Sequence, residues 1–125
     1  MIGLEAAAAQ RIKADAPFGL SARAFALLCG VFSNYPAVDR AIVYGSRAKG
    51  NYRNGSDIDI ALEGCSLTFD DLLRIETALD DLMLPWSIDL SLLSCIDNPA
   101  LLDHIARVGK PLWVREEKDA GKSHL

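Results

Sequence analysis

Two stretches of the chain alternate apolar and polar residues with the two-residue period of a half-buried strand. In Asp57–Leu62 the run opens Asp, Ile, Asp, Ile, and in Ser87–Leu92 the residues Ile88, Leu90 and Leu92 alternate with Ser87, Asp89 and Ser91. Ala41–Tyr44 is continuously apolar, the pattern of a strand covered on both faces. Between these runs the spacing is helical. Ser21 is an N-cap residue for a helix through Ser33, with Phe25, Leu28, Cys29 and Phe32 on one face and Pro36 ending it. Thr68, with Asp71 three residues on, is a variant capping box. The helix it opens carries a stripe of Phe69, Leu72, Leu73, Leu79, Leu82 and Met83, and Leu84-Pro85 stops it. Pro99 suits the first turn of a last helix, with Leu101, Leu102, Ile105 and Val108 inward and Gly109 as its stop. Pro111–Val114 reads as an edge strand, where proline is tolerated.

The predicted order is helix, strand, turn, strand, helix, strand, helix, strand. That is an α+β fold, an α/β sandwich in which a small mixed sheet has helices on one face. The domain spans residues 18–115. Residues 1–17 are an Ala-rich helical extension whose apolar stripe, over Leu4–Ala14, is weak, and 116–125 read as a flexible tail.

Composition narrows the function classes. At 125 residues, half of them hydrophobic, the chain has material for one core. No apolar run approaches the roughly 18–20 residues that span a bilayer, and no signal peptide is evident. The expectation is a soluble cytoplasmic protein with no membrane partner. The formal charge of −4 disfavours nucleic acid as the main partner. Cys29, Cys65 and Cys95 are odd in number and widely spaced, the pattern of reduced, packed thiols rather than a zinc site or disulfide framework.

Charge placement then points to chemistry. Asp57 and Asp59 share one strand face, with successive Cα atoms of that face roughly 6–7 Å apart. Asp89 occupies the matching face of another strand. Asp is depleted in strands, and stacked like charges repel, so a divalent cation among Asp57, Asp59 and Asp89 is the natural remedy. Oxygen-only ligands favour Mg²⁺, with Mn²⁺ as a substitute, and Mg²⁺ completes its shell with substrate phosphates. Gly45-Ser46 supplies a phosphate turn: the glycine permits close backbone approach and the serine offers a hydroxyl and a helix cap. Arg47, Lys49 and Arg53 are candidate partners for phosphate charge. Gly45–Gly50 matches the start of a P-loop, but Asn51-Tyr52 stands where Lys-Ser/Thr is required, and no G-x-G-x-x-G is present.

Gly45-Ser46, ten intervening residues, Asp57-x-Asp59 and a later strand Asp89 resemble the signature of the DNA polymerase β-like nucleotidyltransferase superfamily. The chain is similar to its minimal branch, the MNT proteins that accompany HEPN partners in toxin–antitoxin pairs. The resemblance runs from about Phe18 to Val114. It implies that Asp57 and Asp59 hold two Mg²⁺ ions carrying a nucleoside triphosphate, and that Asp89 joins the ion that activates the acceptor hydroxyl. It further implies that Ser46, aided by the Gly45 backbone, holds the β- and γ-phosphates. The expected activity is transfer of a nucleoside monophosphate, AMP from ATP, to a hydroxyl of a HEPN-type partner. Two alternatives stay open: a non-catalytic subunit that neutralises the partner by binding, and a subunit that modifies a small molecule. His104 reads as a solvated or dipole-facing residue of the last helix, and Tyr44 and Tyr52 as residues flanking the phosphate turn, base stacking by Tyr52 being the less favoured reading.

Overall fold

The computed structural model describes residues 17–53 and 55–116. Residues 1–16 of the expected extension 1–17, residues 117–125 of the expected tail 116–125, and Asn54 of the second turn lie outside the described residues. Among the described residues, four helices and four strands follow in order: α1 (Ala22–Ser33), β1 (Arg40–Tyr44), α2 (Gly45–Lys49), β2 (Ile58–Glu63), α3 (Phe69–Asp80), β3 (Ile88–Leu92), α4 (Pro99–Val108) and β4 (Lys110–Val114). Single 3₁₀ turns at Pro17–Gly19 and Leu93–Cys95 complete the order.

The caps are where local chemistry requires them. Ser21 Oγ accepts the Ala24 amide at 3.0 Å. Thr68 and Asp71 form a reciprocal capping box, the Thr68 hydroxyl accepting the Asp71 amide at 3.1 Å and the Asp71 carboxylate accepting the Thr68 amide at 3.0 Å. Asn98 caps α4 just ahead of Pro99. Each cap satisfies an amide that the helix itself leaves unpaired.

The sheet has the order β3-β2-β1-β4. β1 runs antiparallel to β2 and β4, and β2 pairs with β3 in parallel, so the sheet is mixed as expected. One face carries Ala41, Val43, Ile58, Ile60, Leu62, Leu90, Leu92 and Leu112, packed against Leu20, Leu28 and Phe32 before and in α1 and against Leu72, Ile75 and Leu79 of α3. The opposite face is the one the carboxylates share. Part of it is sealed by α4, whose Ile105 packs on Ile42, Tyr44 and Ala61. That second cluster confines the open part of the face to the end of the sheet where Asp59 and Asp89 stand.

Two expectations change. The α3 stripe is narrower than its spacing predicts: Leu72, Ile75 and Leu79 are buried, while Phe69, Leu73 and Met83 are exposed by 65%, 46% and 85%. Phe69 and Leu73 fall one turn apart on the outer face, and Ile75, which the stripe omitted, points inward. Gly109 stops α4 as expected, in an extended conformation (φ −61°, ψ 142°). Cys29 is half-buried, with Sγ near the Leu112 carbonyl at 3.8 Å, and burial pushes its thiol pKa up. Cys65 and Cys95 are exposed rather than packed. Among the described residues no helix is long and apolar enough to cross a membrane.

Candidate active site

Strand pairing assembles the site. Asp59 of β2 lies between Tyr44 of β1 and Asp89 of β3, its register partners on the two sides. Neighbouring strands are about 4.8 Å apart, so Tyr44, Asp59 and Asp89 form a row across one face. Asp57 precedes β2 by one residue and is exposed, as is Asp89, while Asp59 is half-buried. Burial pushes the Asp59 carboxyl up, and the negative charges of Asp89 and then Asp57 add to the rise. Asp59 therefore feels both other carboxylates. Tyr44 is buried and shares a side-chain hydrogen bond with Ser91; burial raises its phenol, with Asp59 and Asp89 adding to the effect.

In chemistry alone, three carboxylates, all oxygen donors, suit a hard divalent cation. The described residues contain no three His, Cys, Asp or Glu side chains already in metal-binding geometry.

The turn after β1 is built for close approach. Gly45 has φ +74°, and a Cβ on it would collide with Asp59 Oδ2. Only glycine gives both the left-handed backbone and the clearance. Its amide donates to His104 Nε2 at 3.1 Å, so this N–H is engaged by a side chain rather than turned to solvent. Ser46 is the second residue of α2 and half-buried. It does not cap that helix: α2 starts at Gly45 after an N-terminal residue, Tyr44, without a side-chain cap bond.

The three basic residues part ways. Lys49 and Arg53 are exposed beside the turn. Arg47 is 2% exposed. Its guanidinium donates from Nη1 to the Phe18 carbonyl at 2.9 Å and from Nη2 to the Ser56 carbonyl at 2.9 Å. It also lies over the rings of Tyr52 at 4.6 Å and Trp86 at 5.4 Å. Burial lowers its pKa. Arg47 thus ties the Pro17–Gly19 turn, the loop before Asp57 and the turn before β3 together, so the loop that delivers Asp57 is anchored from beneath. Tyr52 is held in the same cluster, against Gly19 as well as Arg47, rather than presented as a stacking platform. The Arg53 amide donates to Ser56 Oγ at 2.8 Å, closing the same loop.

His104, which reads from the sequence as a solvated or dipole-facing residue, lies half-buried against the turn. It contacts the Gly45 amide and meets the Tyr44 ring edge-on, centroids 6.1 Å apart. A single histidine on an amphipathic helix gives no signal of its own; only the packing of α4 across the carboxylate face brings it to the turn.

Comparison with known proteins agrees with this architecture. Residues 28–118 match the family model described as Polymerase beta, Nucleotidyltransferase. Among solved structures, a chain of a toxin–antitoxin complex with AMP-PNP superposes with a TM-score of 0.60 at 22% identity, covering 77% of each chain. A chain of a complex of tri-AMPylated Shewanella oneidensis HEPN toxin with MNT antitoxin gives 0.55 at 20% identity, over 78% of this chain and 75% of that one. A chain of the MntA-HepT toxin–antitoxin gives 0.54 at 20%, with the same coverages. No curated protein sequence matches significantly.

Proposed function

The chain belongs to the polymerase β nucleotidyltransferase family, and from that premise we propose that it moves AMP from ATP to a hydroxyl of a HEPN-type partner protein. The observation that carries this reading is the row of Asp59 and Asp89, with Asp57 beside it, on the open sheet face next to the Gly45-Ser46 turn. The choice of nucleotide and partner leans on structural likeness: one similar chain comes from a complex with AMP-PNP and another from a complex with an AMPylated HEPN toxin.

Asp57, Asp59 and Asp89 would hold the divalent metal, two Mg²⁺ ions or Mn²⁺ in their place. Bound there, the metal would neutralise triphosphate charge and favour ionisation of the acceptor hydroxyl. Ser46 faces the β- and γ-phosphates with its hydroxyl. Gly45 contributes clearance, since its amide is held by His104. Lys49 and Arg53 supply positive charge from the exposed side. Arg47 serves the site indirectly, by anchoring the loop that carries Asp57. Asp89 orients the acceptor. The acceptor oxygen forms a bond to the α-phosphorus, the bond from that phosphorus to the bridging oxygen breaks, pyrophosphate departs with its electron pair, and the hydroxyl proton passes to solvent. Most of the acceleration in such a transfer comes from positioning and charge neutralisation.

Incubating the protein with Mg²⁺-ATP and a HEPN-type partner tests this by mass spectrometry of the partner. The expected result is a gain of one or more AMP masses, abolished in a Asp57→Asn, Asp59→Asn variant. An unmodified partner that the protein nonetheless neutralises, equally well with both carboxylates removed, would replace catalysis by simple complex formation.

A further inference from the structure

The Gly45-Ser46 turn is tied on its downstream side, where the Ser46 carbonyl accepts the Gly50 amide at 2.9 Å and Arg47 is buried, but its Gly45 end has no cap of its own. Gly45 has no side chain, and its left-handed backbone is one of several conformations open to a glycine. It begins a helix of five residues whose preceding residue offers no side-chain cap. What holds the Gly45 amide comes from the last helix, α4. His104 Nε2 accepts the Gly45 amide proton at 3.1 Å, and the same ring meets the edge of Tyr44, the residue just before the turn. One imidazole thus touches both residues of the strand-to-turn junction. It is itself held by α4, which Ile105 anchors on Ile42, Tyr44 and Ala61.

A bond from an amide to a ring nitrogen is directional. It sets the plane of the Tyr44–Gly45 peptide and through it the direction in which Ser46 leaves the turn. Resting on the nucleotide reading above, we propose that His104 is a positioning residue that orients the Gly45-Ser46 turn for the triphosphate. To accept the amide, Nε2 must be unprotonated, so the neutral ring carries its hydrogen on Nδ1.

The test joins a spectroscopic readout to a binding one. Nitrogen-15 NMR of the full chain should show His104 as the Nδ1–H tautomer, and the Gly45 amide should shift in His104→Leu, which keeps bulk but removes the acceptor. Calorimetry with Mg²⁺-ATP should show about tenfold weaker binding for His104→Leu, one hydrogen bond's worth. Binding by His104→Gln, whose amide oxygen reaches the place of Nε2, should return to within about threefold of wild type. An Nε2–H tautomer, or His104→Leu binding as tightly as wild type, overturns the proposal and leaves the nucleotide site standing. Failure of the wild type to bind Mg²⁺-ATP overturns both. Should His104→Leu not fold in a thermal melt, the tautomer and the His104→Gln affinity still decide.

Discussion

Gly45→Ala isolates the contact between the phosphate turn and the central carboxylate. The added methyl meets two obstacles: a backbone at φ +74° and the Asp59 Oδ2 atom. Holding a non-glycine residue in the left-handed region costs about 1–2 kcal/mol. The stiffer unfolded chain of alanine returns about 0.4–1 kcal/mol to stability. Pushing the Asp59 side chain off its rotamer adds about 0.5–1.5 kcal/mol. The net loss is about 1–2 kcal/mol, which lowers the melting temperature by about 4–8 °C for each kcal/mol in a domain of this size. The two costs separate in a double-mutant cycle. Asp59→Ala removes the carboxylate and leaves the Asp59 Cβ, 3.7 Å from the new methyl and in ordinary contact. In that background Gly45→Ala should therefore cost about 0.5–1.5 kcal/mol less than in wild type. Urea unfolding of the four proteins without divalent metal measures this. Additivity to within about 0.3 kcal/mol would refute the claim that turn and carboxylate are packed against each other.

Further expectations concern charge and packing. Because the Asp59 carboxyl is raised in the folded protein, its ionisation opposes folding: the penalty is absent below the unfolded pKa of about 3.9 and present once pH exceeds the raised folded value. Asp59→Asn should thus be more stable than wild type at neutral pH without metal, the difference shrinking towards pH 4, as urea midpoints across that range would show; a constant difference contradicts it. Saturating Mg²⁺ should raise the melting temperature of wild type and leave Asp59→Asn nearly unmoved, and equal shifts would count against metal at this face. Arg47→Met should cost about 2–4 kcal/mol through two lost charged hydrogen bonds, and Arg47→Lys should not recover it, since lysine lacks the fork and the flat stacking surface. In α3, Ile75→Ala should cost about 2–4 kcal/mol and Phe69→Ser under about 0.5 kcal/mol, because only the former side chain is buried.

The sheet was legible because its strands declare themselves twice, by alternation and by the turns between them. Alternation also placed Asp57 and Asp59 on one face, and it put Asp89 on a strand, although pairing of β2 with β3 was needed to set Asp59 opposite Asp89. The helices were legible in position and caps but less so in their faces. Leu73 and Phe69 have the spacing of a stripe, yet α3 docks through Leu72, Ile75 and Leu79, since the direction of docking is set by the sheet beneath it. Arg47 looked like a phosphate ligand because its neighbours in sequence flank the turn. Its neighbours in space are Phe18, Tyr52, Ser56 and Trp86, drawn from three segments, and no local pattern announces such a cluster. His104 was hidden for the same reason: its role depends on where α4 crosses the sheet.

Paramagnetic NMR reads directly whether the carboxylate face is a metal and nucleotide site. With ATP present, substoichiometric Mn²⁺ should broaden the amide signals of Asp57, Asp59, Asp89, Gly45 and Ser46 before any others, and Asp59→Asn should abolish the selectivity. Broadening that begins on the acidic outer surface of α3, or that is unchanged in Asp59→Asn, would contradict that reading.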